Sequence, residues 1–472
     1  MGSNWLVDIV KRAQSGSFIK ENKFDLQMVK RTRELVKEFG VEYSPDAQVP
    51  SDHGLADRVY EAGLQLFLDV GVYCQSTERT IKFTRGEVVD IVKKAPSQVT
   101  LGVGKDAVVM RHRGIEDSLL PIVHSGPCGT PASERYHPLI LQSCAQEPLV
   151  DCLGAGSVST YRGERILPGT PLEVLGARRD AAVAREAVRL AGRPGMHIND
   201  VAVPLTCAGK MAAFDQGTGL RPSDGILISQ MINVKTDMDQ LSRVAHLYNM
   251  DGIRVGLMHP MIGGVGGGPE GSAVVAIACV LLSVVLYDAD YHMFSPGHLR
   301  HSNNVDSTGA WLNAVCGQAL ARNTPSVMLN DIFAVSGPGT KEVLYEAAVG
   351  AIVGTTCGFN IQGVGTASGF NSDVVTGLEA RFIAEVSQAV VDVGMTCDQA
   401  SDLIPELQER FIPSLENPDR GLPFPEVYDE ETIEPKPGWL GIYGTVKQEL
   451  ADMGLRFSHA RRADETSAEE RV

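Results

Sequence analysis

No stretch of this sequence concentrates positive charge. Lys and Arg number 42 against 58 Asp and Glu, a formal charge of −16, and the basic residues are scattered. A nucleic-acid-binding surface needs clustered cations, so that role is excluded. Long apolar runs are also missing. The longest, 273–287, is shorter than the ~20 residues of a spanning helix, and Asp288 and Asp290 follow it. No basic segment leading into an apolar one opens the chain, so no secretory signal is expected and the protein is placed in the cytoplasm, away from membranes. Cysteine is sparse. None of the nine forms a Cys-x-x-Cys pair, and Cys152, Cys279 and Cys316 lie in apolar runs. Zinc-ligand spacing is absent, and the expectation is reduced, buried thiols and no bound metal.

What the chain does contain is 43% hydrophobic residues over 472 positions, enough for a large core. Residues 1–118 read as a largely helical extension, with apolar residues at helical spacing over 24–38 and 55–70. Thr84 and Glu87 have the pattern of a capping box ahead of Val88, Val89, Ile91 and Val92, and β-rich runs follow at 99–103 and 107–111. Over residues 119–412 the rhythm is alternation. Strand-like runs at 121–124, 149–154, 196–199, 252–257, 290–294 and 325–330 are interleaved with helical stretches at 133–144, 171–191, 238–248, 271–286, 307–321 and 340–354. Alternating β and α segments imply parallel strands with helices outside, and a pitch of roughly 40 residues suits an α/β fold of the (β/α)8 TIM-type barrel class. The alternative is a doubly wound open sheet, but the glycine-rich phosphate turn it should carry after an early strand is missing. Residues 413–472 read as an irregular strap rich in Pro, Glu and Asp, a last helix near 444–453, and a charged, disordered tail.

The densest local motif is Gly263-Gly264-Val265-Gly266-Gly267-Gly268-Pro269-Glu270. Such a loop can cradle phosphate at a helix N-terminus, but no Lys-Ser/Thr follows and no acidic ribose ligand is placed after it. The alternative is backbone that needs positive φ and close approach, which also leaves room for a large planar cofactor. His298 and Arg300 stand two apart and share a face in extended backbone, either as an anion-binding pair or as a strand-end histidine beside a surface arginine. Asn199, Asp200, His259 and Asp331 close successive strand runs. Each alone reads as a helix cap, but together they converge over the carboxyl mouth where barrel active sites lie. A metal-dependent hydrolase would need His and Asp ligands clustered at strand ends, and the spacing does not offer them.

A string of segments then sets a more specific expectation. It runs through Glu61-Ala62-Gly63, Gly71-Val72-Tyr73-Cys74, Leu101-Gly102-Val103-Gly104-Lys105-Asp106-Ala107-Val108, Gly126-Pro127, Thr130-Pro131 and Ser133-Glu134. It continues through Pro171-Leu172-Glu173-Val174-Leu175, Ala191-Gly192-Arg193-Pro194-Gly195-Met196, His298-Leu299-Arg300, Ser336-Gly337-Pro338 and Thr376-Gly377-Leu378-Glu379-Ala380-Arg381. In this order and spacing the chain resembles the monomethylamine:corrinoid methyltransferase family. The resemblance implies a (β/α)8 barrel, a homo-oligomer (a hexamer in the relatives), no cofactor held tightly by the chain itself, and a partner corrinoid protein. That partner presents Co(I) of its corrinoid (cobalamin) at the barrel mouth to take the methyl group. Gly263, Gly264, Gly266 and Gly267 would then help accept the corrinoid.

The departures from the family are as informative. Where the family carries pyrrolysine this sequence matches Asn199, where it carries two pocket glutamates it matches Leu227 and Leu257, and a pocket glutamine matches Asp331. The pyrrolysine imine is proposed to hold methylamine as an adduct, and asparagine has no such electrophilic carbon. Two leucines also remove carboxylates that would bind a small amine and move its protons. The expected donor is therefore a quaternary ammonium, sulfonium or activated methoxy compound. The alternatives are monomethylamine handled without pyrrolysine, and a non-catalytic barrel that binds a methylated compound or a corrinoid protein. In the catalytic reading Asn199 hydrogen-bonds or fills space, Asp331 holds a cationic substrate, and His259 and His197 are candidate proton handlers. Asp200, Leu227, Leu257, His298 and Arg300 complete the expected substrate site.

Overall fold

Eight parallel strands close into a barrel in the computed structural model, which describes residues 3–199, 206–214, 217, 219–366 and 372–457. Each strand is followed by a helix. β1 (Val123–Ser125) leads to α1 (His137–Ala145), β2 (Cys152–Gly154) to α2 (Pro171–Leu190), β3 (His197–Asn199) to α3 (Cys207–Ala213), and β4 (Gly225–Ser229) to α4 (Met238–Met250). β5 (Ile253–Met258) leads to α5 (Pro269–Tyr287), β6 (Tyr291–Phe294) to α6 (Ser307–Asn323), β7 (Met328–Ala334) to α7 (Glu342–Thr356), and β8 (Asn360–Thr366) to α8 (Gly377–Val393). Chain neighbours are barrel neighbours, and closure comes from β8 on β1, with Ile361 opposite Val123 and Gln362 opposite His124. The open-sheet alternative is excluded. Two barrel strands, β4 and β8, were not expected from the sequence.

Alternation along the strands separates two cores. Leu227, Ile253, Val255, Leu257, Tyr291, Met293, Val327, Leu329 and Cys152 pack together inside the barrel. Leu153, Ile198, Ile226, Ile228 and Ile361 face the helices, as period-two side chains must. Every described residue from Gly271 to Tyr287 of α5 is buried. This helix starts earlier than the sequence reading placed it and is long and apolar enough to cross a membrane, yet 94% of its apolar window lies inside the fold. A helix that is hydrophobic all round is a core helix when other elements cover it. The covering elements here come from the N-terminal extension, helices Glu21–Glu38 and His53–Val70. A Cβ on Gly63 would sit 2.4 Å from Ile277 Cβ, so these helices meet at backbone distance.

The extension has a second task. The antiparallel hairpin of Gln98–Leu101 and Val108–Arg111 inserts Leu101 and Met110 into the inner barrel core. Its backbone is pinned to residues just ahead of the strands, with Gly102 N donating to Ser223 O at 3.2 Å and Val103 N to Gly195 O at 2.8 Å. The amino end of the barrel is thereby plugged. The Thr84–Glu87 capping box is present as expected. All nine cysteines are free, and Cys128 alone is not fully buried. The C-terminal strap is less irregular than its composition suggested: it contains a short helix, Phe424–Val427, and the last helix spans Pro437–Asp452, with Pro at its permissive first turn. Residues 458–472, read as a disordered tail, lie outside the described residues.

Candidate active site at the carboxyl mouth

Among the described residues of the eight barrel strands Asp331 is the only Asp or Glu, and it faces inward near the mouth. It is 3% exposed. Ser295 Oγ donates to its Oδ2 at 2.9 Å and Gln362 Nε2 to its Oδ1 at 3.4 Å. Burial lifts its pKa to about 7, against the pull of those two hydrogen bonds. The nearby Cys128 thiol is pushed well up by burial and by the Asp331 charge, so it stays protonated. Arg254 is the only Lys or Arg among the described residues of these strands, and it is tied to Asp290 and Asp288 on the amino side. No fixed cation therefore faces Asp331 from any described barrel strand.

Asn199 ends β3 and points inward, its Nδ2 donating to Met293 Sδ at 3.2 Å. Leu227 and Leu257 belong to the same inner surface. His259 lies just past β5, its Nδ1 3.0 Å from Ser295 O. A carbonyl only accepts, so Nδ1 carries the proton and Nε2 keeps its lone pair. Burial lowers its pKa, which leaves the ring neutral. His197 sits deeper, with Nδ1 2.8 Å from Ser223 O and Nε2 3.5 Å from the Tyr291 hydroxyl, and burial lowers its pKa as well. Of the expected site residues, the structure thus gathers Asn199, Asp331, His259, His197, Leu227 and Leu257 in one interior. Asp200 lies outside the described residues.

The other expectations fare differently. Gly263 and Gly267 adopt φ of +89° and +73°, and a Cβ on Gly266 would lie 2.6 Å from Ser272 N. The amides of Gly263, Gly264 and Gly267 are spent inside the loop, on Gly267 O, Met261 O and Gly264 O. The run is a turn that needs glycine, and those amides cannot cradle phosphate. His298 and Arg300 do not form an anion-binding pair. Arg300 reaches out to Glu416 at 2.7 Å and is largely exposed, while His298 stacks on His301 with centroids 4.4 Å apart. The loop curls, with Arg300 N donating to His298 Nδ1, which breaks the extended geometry the pairing required. The same curl brings ligand atoms of His298, His301 and Asp306 within 4.8 Å of one another, a grouping the sequence spacing did not show. The two rings are inclined by only 18°, so their in-plane lone pairs run side by side instead of meeting at one point.

Three lining residues escaped the sequence reading: Ser295, Gln362 and His124. Gln362 lies on the unexpected strand β8. His124 ends the expected run 121–124, but only the barrel register shows that it faces Gln362 and lies 5.8 Å, centroid to centroid, from both His197 and Tyr291.

Comparison with known proteins gives this architecture its relatives. Residues 5–455 match the family model described as monomethylamine methyltransferase MtmB. The chain is 31% identical over 453 residues to monomethylamine methyltransferase MtmB of Methanosarcina mazei, covering 95% of this chain and 98% of that one. It is 30% identical over the same length to MtmB2 of Methanosarcina acetivorans, again covering 95% and 98%. The crystal structure of the Methanosarcina barkeri monomethylamine methyltransferase superposes with a TM-score of 0.92 at 29% identity, covering 96% of this chain and 98% of that chain, and the structure of a hydroxylamine MtmB complex gives the same values. Family model, relatives and fold agree over almost the whole length: the chain is a methyltransferase and belongs to the monomethylamine methyltransferase MtmB family.

Proposed function

We propose that this protein moves a methyl group from a small onium or activated methoxy donor, not monomethylamine, to the Co(I) corrinoid of a partner protein in the cytoplasm. The observation that carries this reading is the pocket's make-up. One buried carboxylate, Asp331, faces an interior of Leu227, Leu257 and Met293, and the same inner surface carries Asn199, the residue that the sequence resemblance pairs with the family's pyrrolysine. Among the described lining residues, none has an electrophilic carbon that could capture an amine. A quaternary nitrogen or sulfonium needs no such capture, because it departs neutral with the electron pair of the broken C–N or C–S bond and takes no proton. The neutral state of His259 and His197 agrees with onium departure, in which no acid is required, whereas a methoxy donor leaves as an oxyanion and would take its proton from Asp331, whose carboxyl is raised to about 7.

The corrinoid, when presented by its partner, supplies the nucleophile that attacks the methyl carbon in line. This chain positions the donor and excludes water. Asp331 holds the positive centre, Leu227, Leu257 and Met293 keep the reacting methyl dry, and Asn199 sets its depth. The mouth suits a broad flat group beside Gly267, where even an added Cβ would meet nothing within 4 Å.

The test is methylation of a Co(I)-corrinoid protein, followed by visible absorbance, against tetramethylammonium, trimethylsulfonium, a methoxy compound and monomethylamine. Turnover of an onium or methoxy donor without turnover of monomethylamine is the expected result, and turnover of monomethylamine overturns the reading. With a competent donor, Asp331→Ala should lose about 10- to 100-fold in kcat/KM, the worth of a charged partner in a buried site. If both Asn199→Ala and Asp331→Ala leave turnover unchanged, the roles given to them are wrong.

A further inference from the structure

Below Asp331 the barrel interior contains polar atoms that the protein does not satisfy. His124 Nδ1, His124 Nε2 and Asn199 Oδ1 are buried and have no protein hydrogen-bond partner. His124 is 0% exposed and Asn199 4%. A buried polar atom without a partner carries its full desolvation cost, and three on the strands that flank β2 in one interior mark a place made for something polar. The register brings them together. His124 pairs across to Cys152 on β2, and Gly154, two residues on, pairs with Asn199 on β3. The glycine makes the room: a Cβ there would meet nothing nearer than Ser125 O at 3.6 Å, so the inner face of β2 beside Asn199, one step toward the mouth from the His124 level, is unfilled by side chain. Gln362 joins this space to the Asp331 pocket, since it pairs with His124 in the barrel and donates through Nε2 to Asp331.

We propose that His124, Asn199 and the bare inner face of Gly154 form a second compartment of the substrate site, which seats a hydroxyl-bearing arm of a cationic methyl donor. This deepens the methyl-transfer reading above and rests on it. The chemistry follows from the inventory of atoms. A neutral imidazole offers one N–H and one lone pair, and the Asn199 carbonyl offers an acceptor. A hydroxyl both donates and accepts, so it can answer His124 and Asn199 at once. A methyl arm leaves all three atoms unpaired. A carboxylate arm brings only acceptors against Asn199 Oδ1, and no described barrel strand supplies a cation to receive it, Arg254 being committed to Asp288 and Asp290. Zwitterionic betaines and methoxylated acids are therefore poor fits, and a trimethylammonium or dimethylsulfonium compound with a short hydroxyalkyl arm is the fitting class.

Binding alone tests this, without the corrinoid partner. Isothermal titration at pH 8 would compare choline, tetramethylammonium and glycine betaine on the full chain. Choline should bind about tenfold tighter than tetramethylammonium, the worth of one well-made buried hydrogen bond, and glycine betaine weaker than either. His124→Leu should bring the choline-to-tetramethylammonium ratio close to one. Gly154→Ala should do the same by filling the space, and its added methyl meets only ordinary contacts, so folding is preserved if the histidine variant fails. Equal affinity for the two cations, or a ratio unmoved by both variants, shows that these atoms serve ordered water only and overturns the proposal. Failure of every cation to bind overturns it too, whereas the methyl-transfer reading is judged separately by the donor panel.

Discussion

Replacing Asp331 with Asn should make the protein less stable in acid and more stable in mild base. The folded pKa of Asp331 is raised to about 7 by burial, while an unfolded aspartate titrates near ~3.9. For a carboxyl group shifted upward, the protonated form is the one the fold prefers. Its favourable contribution is fully present below the unfolded value and is lost as pH rises through about 7. Three units at about 1.4 kcal/mol each give about 4 kcal/mol between the protonated and ionised limits. Asparagine keeps an acceptor for the Ser295 hydroxyl but turns an N–H2 toward Gln362 Nε2, at about 1 kcal/mol. The variant is thus expected to be about 1 kcal/mol weaker at the acid limit below the unfolded value, level with the parent near pH ~4.5 and about 3 kcal/mol stronger at pH 8.5. Urea unfolding of both proteins at half-unit steps across that range measures the crossing. Glu346 and Glu379, also buried and raised to about 7, titrate in both proteins and cancel in the difference. A difference that does not change with pH would show that Asp331 ionises freely and that the electrostatic account of the pocket is wrong.

Other consequences are as direct. Arg381 grips Glu147 through Nε at 2.7 Å and Nη2 at 3.0 Å, and the glutamate is 1% exposed. Arg381→Met strands that carboxylate and should cost about 3–5 kcal/mol at pH 8, less toward pH 5 as Glu147 takes a proton; equal losses in thermal or urea unfolding at both pH values would reduce Arg381 to packing. In the glycine loop, Gly266→Ala drives a methyl into Ser272 N and should cost about 1–3 kcal/mol, whereas Gly267→Ala meets no atom and should cost about 1 kcal/mol for its positive φ alone. Thermal unfolding that ranks the two the other way would refute the loop geometry.

The alternating region was legible because buried parallel strands and amphipathic helices leave strong local patterns, and six of the eight strands were expected near their places. β4 and β8 were not. Gly-Ile-Leu-Ile-Ser is short and apolar enough to suit helix or strand, and Asn-Ile-Gln-Gly-Val-Gly-Thr places polar and bare residues where a core strand usually carries hydrophobes. That composition belongs to the site: Gln362 reaches Asp331 from β8. Strand-end position places Asn199 and His259 correctly at the candidate site, whereas Asp331, read as closing the run 325–330, lies within β7, which continues to Ala334 and carries the aspartate inward by its register. His124 needed the register, because a histidine within an apolar run has the same local appearance whether it faces the helices or the interior. The His298–Arg300 pair misled because a period-two argument holds only while the backbone stays extended, and there the chain curls.

The plugged amino end dictates an order of events. With the hairpin carrying Leu101 and Met110 closing one end, a donor and a cobalt centre that meet in this interior share a single doorway at the other. Whatever is to lie deepest must go in first. In the proposed methyl transfer the donor therefore loads before the partner docks, and the demethylated product waits until that partner leaves. Turnover then follows a compulsory sequence paced by undocking, and a large excess of partner protein slows the enzyme by barring the way to fresh donor.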